Sequence, residues 1–268
     1  EFLLSNIPND KIIFNSDLIN IEEYEKLKLS FSDNTKEEFD YIVAADGVYS
    51  RTKEILFKKE GTPKYFNSIA LRGNIQNFEN SDISLYLGSN FHFVIYPINQ
   101  NNEFNFISIV RKKLVGSEIT NRSLFKDKIF INNLMSQISS KSDLNLSELV
   151  NEIKCFPIFV SKKIKIPSNK NIFLMGDAFF SFPPSFAQGA SQSIESANDL
   201  FNDLNNNLSN YYKKRVLKTK QINYRSSINH HAFHIANPIN VFFRNIFLKY
   251  LSKNKSFLEN YLGKIYKN

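Results

Sequence analysis

The sequence has one cysteine, no tryptophan and no long apolar run among its 268 residues. Cys155 has no partner for an internal disulfide, and no Cys/His spacing suits zinc, so we expect a reduced, cytoplasmic protein without a metal site. No apolar stretch approaches the roughly 20 residues that cross a bilayer. The start at Glu1 shows neither an initiator Met nor a basic signal segment. We therefore expect neither a membrane-spanning helix nor a signal peptide.

Positive charge is concentrated at the carboxyl end of the chain. The whole sequence has a net charge of +8, whereas residues 206–268 alone carry 12 Lys and Arg against one acid, Glu259. This basic tail therefore has a net +11, and residues 1–205 have a net −3. Such asymmetry is typical of a tail that binds an anionic partner. A solvated basic surface is nevertheless the commoner explanation. We expect no nucleic-acid partner.

The hydrophobic pattern predicts an α/β protein. Strands are expected at 11–14, 27–31, 39–45, 153–159 and 171–175, with Pro157 favouring a sheet edge. Residues 68–111 alternate with a period near two, which is typical of an antiparallel sheet. Helices are expected at 50–57, 123–139, 143–151 and 188–205, and from 210 onwards with a break at Pro238.

A buried-strand pattern at 171–175 ends in Gly176-Asp177, which places a carboxylate where open α/β sheets bind ligands. The following loop turns through Pro183-Pro184 into a helix, whose free N–H groups favour an electron-rich ligand edge. This arrangement predicts a cofactor cradle in which Asp177 accepts hydrogen bonds from hydroxyl groups. The alternative is a surface turn stiffened by proline, with Asp177 as an ordinary cap.

Two segments resemble motifs of one enzyme family. GDAFFSFPPSFAQGASQSIESA at 176–197 resembles the second flavin-binding motif of the aromatic-ring flavoprotein monooxygenases, which include 4-hydroxybenzoate, salicylate and ubiquinone-pathway hydroxylases. DYIVAADGVYS at 40–50 resembles the D-x-x-x-x-A-D-G-x-x-S motif of the same family. The order of the two motifs and their separation also agree with the family.

The resemblance implies which residues hold FAD. Asp177, after Gly176, would bind ribityl or ribose-side hydroxyls, and Asp46 with Gly47 would organise the cofactor and the approach of NAD(P)H. The flavin ring would be lined by Pro184, Ala187, Gln188, Gly189 and Ala190. No catalytic side chain and no metal is implied.

The sequence departs from the motifs at five positions. Arg, His, Gly, Asn and Asp are replaced, in that order, by Lys53, Phe180, Ala187, Ser191 and Ser196. We expect the methyl group of Ala187 to crowd the flavin or to exclude the left-handed conformation that Gly allows.

The resemblance also implies the fold and its division. A Rossmann-like FAD-binding lobe would be interrupted by a sheet-rich substrate lobe of mixed or antiparallel strands and followed by a helical tail. We expect an FAD-binding lobe at 1–62, a substrate lobe at 63–163, the return of the FAD-binding lobe at 164–205 and a basic helical tail at 206–268. No G-x-G-x-x-G occurs in the chain, so roughly the first 100 residues of the family pattern are missing. We expect a fragment of a longer enzyme.

The implied function is hydroxylation of a small aromatic or quinone-precursor substrate, with FAD as cofactor and NAD(P)H and dioxygen as cosubstrates. The alternative is a non-catalytic or split flavoprotein-like subunit that acts through partner binding at an unfinished sheet edge. A flavin-dependent reductase or halogenase is a further alternative. The chain has no tryptophan, however, and so lacks the Trp-rich signature expected of the tryptophan-halogenase type.

Histidines and the tail give weaker signals. His230 and His234 have the i,i+4 spacing of metal ligands, but a polar helix face is favoured for them and for His231. We expect His92, inside an apolar strand, to be a satisfied core histidine. The tail carries an apolar stripe within 241–251. We favour packing of this stripe on the protein, with reversible binding to an anionic membrane surface at the inner face as the alternative.

Overall fold

The computed structural model describes residues 3–78, 82–99, 102–142, 144–204, 210–261 and 263–265. The chain forms two compact units. The first unit consists of Glu1–Pro63, Ser161–Ser181 and Gly189–Arg215. The second unit consists of Lys64–Val160, Phe182–Gln188 and Val216–Asn268. The predicted α/β class, with a sheet-rich part inserted into another part of the chain, is confirmed.

The first unit contains two small sheets. The strands of its antiparallel sheet are β1 (Leu18–Glu23), β2 (Leu27–Phe31) and β3 (Lys36–Phe39). A parallel pair joins β4 (Ile42–Ala44) to β10 (Ile172–Leu174), with Val43 opposite Phe173. Parallel pairing brings the carboxyl ends of β4 and β10 to the same edge. The two predicted motifs follow these two strands, so this edge positions both of them.

The strand expected at 11–14 is wrong. Residues Asn9–Lys11 form a short 3-10 turn, and Ile13 and Phe14 are exposed. A short apolar run makes a strand only where another strand pairs with it, and no described residue pairs with this segment. The first strand is instead β1.

Helices of the first unit follow its parallel strands. They are α1 (Arg51–Phe57), α4 (Gly176–Phe179), α5 (Gly189–Leu204) and the first turn of α6 (Tyr211–Phe233). Leu27, Leu29, Ile42 and Ile172 form one small core. Phe173, Leu200 and Tyr211 form another, which fixes α5 and α6 against β10.

The second unit is built on a five-stranded antiparallel sheet of order β6-β7-β8-β5-β9. Its strands are β5 (Lys64–Gln76), β6 (Ser84–Gly88), β7 (Phe91–Pro97), β8 (Glu103–Arg111) and β9 (Asn151–Val160). The antiparallel sheet is as predicted, and β9, which contains Pro157, is an edge strand as expected. The helices α2 (Lys128–Ser139) and α3 (Leu146–Leu149) share the core of the sheet through Leu134, Met135, Ile138 and Leu146.

In the described part of the carboxyl-terminal region, α6 is followed by α7 (Pro238–Leu251), α8 (Lys255–Tyr261) and a short 3-10 turn at Gly263–Ile265. The predicted break at Pro238 is confirmed, because Pro238 is the first residue of α7 and Asn237 caps it by accepting from the N–H groups of Ile239 and Asn240. The predicted boundary at 205/206 lies outside the described residues. Among the described residues, no helix is both long and apolar enough to span a membrane.

Candidate cofactor site

The first motif forms a tight turn between β4 and α1. Gly47 has φ of +78°, a conformation that favours glycine. Asp46 Oδ2 accepts hydrogen bonds from the backbone N–H and the hydroxyl of Thr52, both at 3.0 Å. Ser50 Oγ accepts from the N–H of Lys53 at 3.0 Å. Asp46 and Ser50 therefore satisfy the free N–H groups at the start of α1, and the turn is fixed by its own polar side chains.

Lys53 places a buried cation behind this turn. Its Nζ donates to Ser161 Oγ at 3.2 Å and to the carbonyl oxygen of Phe179 at 3.0 Å. Burial lowers the pKa of Lys53 to about 8, while the charges of Asp46 and Asp177 act in the opposite direction. Lys53 is therefore the group through which the structure brings the two predicted carboxylates into one electrostatic cluster.

The sequence pattern did not single out Lys53 as a functional residue. It showed Lys53 only as a replacement for Arg. The nearby Arg51 is exposed and pairs with Glu54 at 2.7 Å on the surface of α1. The position of Lys53 could have indicated a role at the site, because Lys53 lies in the first turn of a short helix that starts at the sheet edge.

The second motif begins with a turn that only glycine suits. Gly176 has φ of +56°, and a Cβ at this position would lie 2.6 Å from Ser193 Oγ and 3.2 Å from its Cβ. Glycine therefore lets α5 approach the end of β10. Asp177 follows, half-buried. Burial raises the pKa of Asp177, and Lys53 lowers it.

The Asp177 carboxylate has unused acceptor capacity. It accepts no hydrogen bond within the part of the chain that the structure describes. A half-buried carboxylate beside a cation is a strong acceptor for a ligand hydroxyl. This observation fits the predicted role of Asp177 toward the hydroxyl groups of FAD.

The loop before α5 contains the predicted ring-lining residues. Pro184–Phe186 form a 3-10 turn, closed by the hydrogen bond from Ala187 N to Pro184 O at 3.0 Å. Ala187 has φ of 51° and ψ of 34°, in the left-handed region. The expectation that its methyl group excludes this conformation is therefore wrong. The loop keeps the backbone shape that glycine allows, at a conformational cost of about 1 kcal/mol.

The predicted helix after the loop is confirmed, and it starts at Gly189 with Ala190 as its second residue. Gln188 is buried, and a Cβ at Gly189 would have open space around it. The structure thus places Pro184, Ala187 and Gln188 in the second unit. Gly189 and Ala190 open α5 in the first unit, to which Asp46, Gly47, Gly176 and Asp177 also belong.

A buried arginine fixes α5. Arg215 on α6 donates to Gln192 Oε1 at 2.7 Å, to Glu195 Oε1 at 3.2 Å and to Asp199 Oδ2 at 3.1 Å. The acceptors stand one turn apart on one face of α5, so a single guanidinium spans two turns of the helix. Arg215 is therefore a structural cation, although the sequence placed it in the basic tail.

The predicted polar face for His230 and His234 is wrong, because both are buried whereas His231 is exposed. Ser185 Oγ lies 3.1 Å from His230 Nδ1, and His230 Nε2 lies 3.2 Å from His234 Nδ1. His234 Nε2 lies 3.0 Å from His92 Nδ1. His92 is a satisfied core histidine, as predicted. His234 contacts His92 and His230 through different ring nitrogens, so the three rings form a hydrogen-bonded chain. Among the described residues, no group of side chains suited to binding a metal ion is found.

Comparisons with known proteins agree with this geometry. A family model described as "FAD binding domain" matches residues 22–227. A 6-hydroxynicotinate 3-monooxygenase of Bordetella bronchiseptica is 25% identical over 71% of this chain and 51% of its own length. A 3-amino-4-hydroxybenzoate 2-monooxygenase of Streptomyces platensis is 24% identical over 80% of this chain and 56% of its own length. The chain thus spans about half the length of the curated relatives it matches.

Solved structures show the same fold. The Klebsiella pneumoniae HpxO complex with FAD and uric acid matches with a TM-score of 0.80 at 16% identity, over 99% of this chain and 70% of that one. A salicylate hydroxylase substrate complex matches with a TM-score of 0.74 at 15% identity, over 94% of this chain and 70% of that one. Together with the family match across most of the sequence, the two motif turns confirm the predicted resemblance to flavoprotein monooxygenases: the chain belongs to the FAD-binding domain family.

Proposed function

We propose that this chain binds FAD and forms part of a monooxygenase that hydroxylates a small aromatic or quinone-type substrate with NAD(P)H and dioxygen. The observation that carries the proposal is the Asp177 carboxylate, half-buried beside Lys53 and without a hydrogen-bond donor in the described part of the chain. The curated relatives named above are monooxygenases of aromatic compounds, which supports the substrate class. The proposed division of the chain remains 1–62, 63–163, 164–205 and 206–268.

The residues of the chain would bind and orient the cofactor. Asp177 accepts hydrogen bonds from hydroxyl groups of FAD, and the charge of Lys53 lowers the pKa of this carboxyl group against the larger effect of burial. Gly189 and Ala190 offer N–H groups at the start of the 16-residue α5, where the helix dipole favours negative charge. Ala187, in the left-handed conformation, comes two residues before Gly189 in the chain. When bound, FAD supplies the electron transfer and oxygen chemistry that side chains lack.

Titration with FAD tests the role of Asp177. Replacing Asp177 with Asn keeps the shape of the side chain and removes its charge, so the affinity for FAD should fall roughly 10- to 100-fold, as expected for a lost charged hydrogen bond of about 1.5–3 kcal/mol. Flavin fluorescence measures the affinity. Glu37→Gln, on the exposed strand β3 of the same unit, is the matched control and should change nothing.

Unchanged FAD affinity in Asp177→Asn would remove Asp177 from the site. If the unaltered chain shows no saturable binding at millimolar FAD, the proposal fails for this chain. The alternative of a non-catalytic subunit would then be favoured.

We also propose that the tail attaches the protein reversibly to an anionic lipid surface, at the inner face of the cytoplasmic membrane. The expected burial of the apolar stripe is wrong, since no side chain of α7 is buried. Its largest exposed side chains are Phe242, Phe243, Phe247 and Tyr250. Arg244 and Lys249 lie on the same helix, which combines apolar and cationic groups as interfacial helices do.

A further inference from the structure

We propose that His230 is a positioning residue for the loop that contains Ser185 and Ala187. Through the hydroxyl group of Ser185, His230 fixes the loop in the left-handed shape described above. The importance of this loop for the cofactor rests on the proposed function, whereas the anchoring itself concerns only contacts within the second unit.

The contact of His234 with a carbonyl group favours one proton order from His234 to Ser185. The carbonyl oxygen of Ile109 lies 3.2 Å from His234 Nε2 and can only accept, so we assign the proton of His234 to Nε2, which also lies 3.0 Å from His92 Nδ1. In a neutral ring His234 Nδ1 is then an acceptor, and His230 Nε2 must donate to it. His230 Nδ1 is therefore an acceptor as well, and the hydroxyl of Ser185 donates to it.

The surroundings keep these rings neutral. Burial is the largest cause that lowers the pKa of His92, His230 and His234. The charge of Arg111, on β8, also lowers the pKa of His230 and His234. His231 has the same effect on the pKa of His230. Neutral rings are what the proton order requires, because a protonated His230 would have no lone pair for Ser185.

The residue before His230 holds the backbone of the same loop. Asn229 Nδ2 donates to the carbonyl oxygen of Ser185 at 3.3 Å, and Asn229 Oδ1 accepts from the hydroxyl of Tyr261 at 2.8 Å. The ring of Tyr261 contacts the ring of Phe186 edge-on, with centroids 6.0 Å apart. Two successive residues of α6 thus bind both the side chain and the carbonyl of Ser185.

This anchoring explains how a non-glycine residue keeps a left-handed conformation. Ala187 lies two residues after Ser185, and the hydrogen bond from its N–H to Pro184 closes the turn. That conformation persists in a residue with a Cβ only where the surroundings over-determine it. The contacts of Ser185 with α6 supply this constraint.

Hydrogen exchange of the chain without cofactor tests the anchoring. In His230→Phe and in Ser185→Ala, amide exchange in residues 185–187 should be about tenfold faster. The double variant should be no faster than either single variant, because both remove the same bond. His230→Asn, which retains an acceptor, should restore part of the protection, and His231→Gln, at the exposed neighbouring position, should exchange like the unaltered chain.

Two results would overturn the proposal: unchanged exchange at 185–187 in folded Ser185→Ala, or an equal increase across the β5–β8 strands, which would give the histidines a core role only. Ser185→Ala removes one hydroxyl group, so it keeps the test decisive if His230→Phe does not fold. Faster exchange together with unchanged FAD affinity in Ser185→Ala would confirm the anchoring and contradict a cofactor role for the loop. The Asp177→Asn titration tests FAD binding separately.

Discussion

At the scale of single residues, the site depends on a few side chains whose surroundings differ from those of their neighbours. Lys53 and Arg51 are two positions apart on α1, yet one is buried between carboxylates and the other lies on the surface. His230 and His231 are adjacent, yet only His230 is buried. In each pair, the side of the helix on which a residue lies therefore decides whether its side chain is buried or exposed.

Lys53 gives a prediction at this scale. Lys53→Met should lower the free energy of unfolding by about 1–3 kcal/mol, because it leaves Asp177 without its cation and removes the donor to Ser161 and Phe179. Arg51→Met, the control, should cost less than about 0.5 kcal/mol, since its ion pair is exposed. Urea unfolding followed by circular dichroism measures both. Equal losses in the two variants would show that Lys53 does not act through the buried carboxylates.

At the scale of secondary-structure elements, each part of the site stands at the end of a strand or the start of a helix. The turns after β4 and β10 meet at one edge because these strands pair in parallel. Helix α5 is held by Arg215, so the start of the helix is fixed independently of the loop before it. Packing explains little of α7, since none of its side chains is buried.

The exposed face of α7 gives the second prediction. The chain should sediment with vesicles that contain anionic lipid and not with neutral vesicles, and binding should weaken as salt screens the charges. Phe247→Ser should reduce the bound fraction several-fold. Phe201→Ser, at an exposed position on α5, is the control and should leave binding unchanged.

Equal sedimentation with neutral and anionic vesicles, or none with either, would contradict the membrane proposal. The basic residues of the tail do not all contribute to it. Arg215 and Arg225 are buried: Arg215 binds α5, and Arg225 packs on the ring of Tyr261, 5.1 Å from its centroid. The membrane proposal therefore depends on the remaining exposed Lys and Arg residues of the tail.

At the scale of the whole molecule, the buried histidines link stability to pH. The folded chain holds the pKa of His92 and His230 at about 3 and that of His234 at about 4, below the usual 6.5. Between these values the unfolded chain binds more protons than the folded chain, so acid favours unfolding. The stabilisation is complete above about pH 6.5 and is lost as the pH falls toward 4.

The free energy of unfolding should therefore decrease between pH 7 and pH 5, by at most about 1.4 kcal/mol per pH unit for each histidine. Urea midpoints at pH 7, 6 and 5 measure this slope. His230→Phe should flatten it, whereas His231→Gln should leave it unchanged. The raised pKa of Asp177 acts in the opposite direction. Identical slopes in the unaltered chain and His230→Phe would contradict the prediction.

Local sequence determined most of the elements and the family. Apolar periodicity predicted the antiparallel sheet and α5, whereas Pro157 predicted the edge position of β9 and Pro238 predicted the helix break. Each of these features depends on residues near in sequence. The two motif turns were predicted for the same reason, since Gly47 and Gly176 take conformations that glycine favours. The two motifs around these turns carried the resemblance to flavoprotein monooxygenases, which the family match supports.

Tertiary structure decided the burial of charged and titratable groups. Residues 11–14 form no strand because none of the described segments pairs with them. Lys53 becomes a buried cation through contacts with residues 108 and 126 positions away, and His234 joins His92 across 142 positions. Ala187 keeps a left-handed conformation because α6 holds Ser185. Such contacts depend on which distant segments fold together, and the pattern of neighbouring residues contains no information about that pairing.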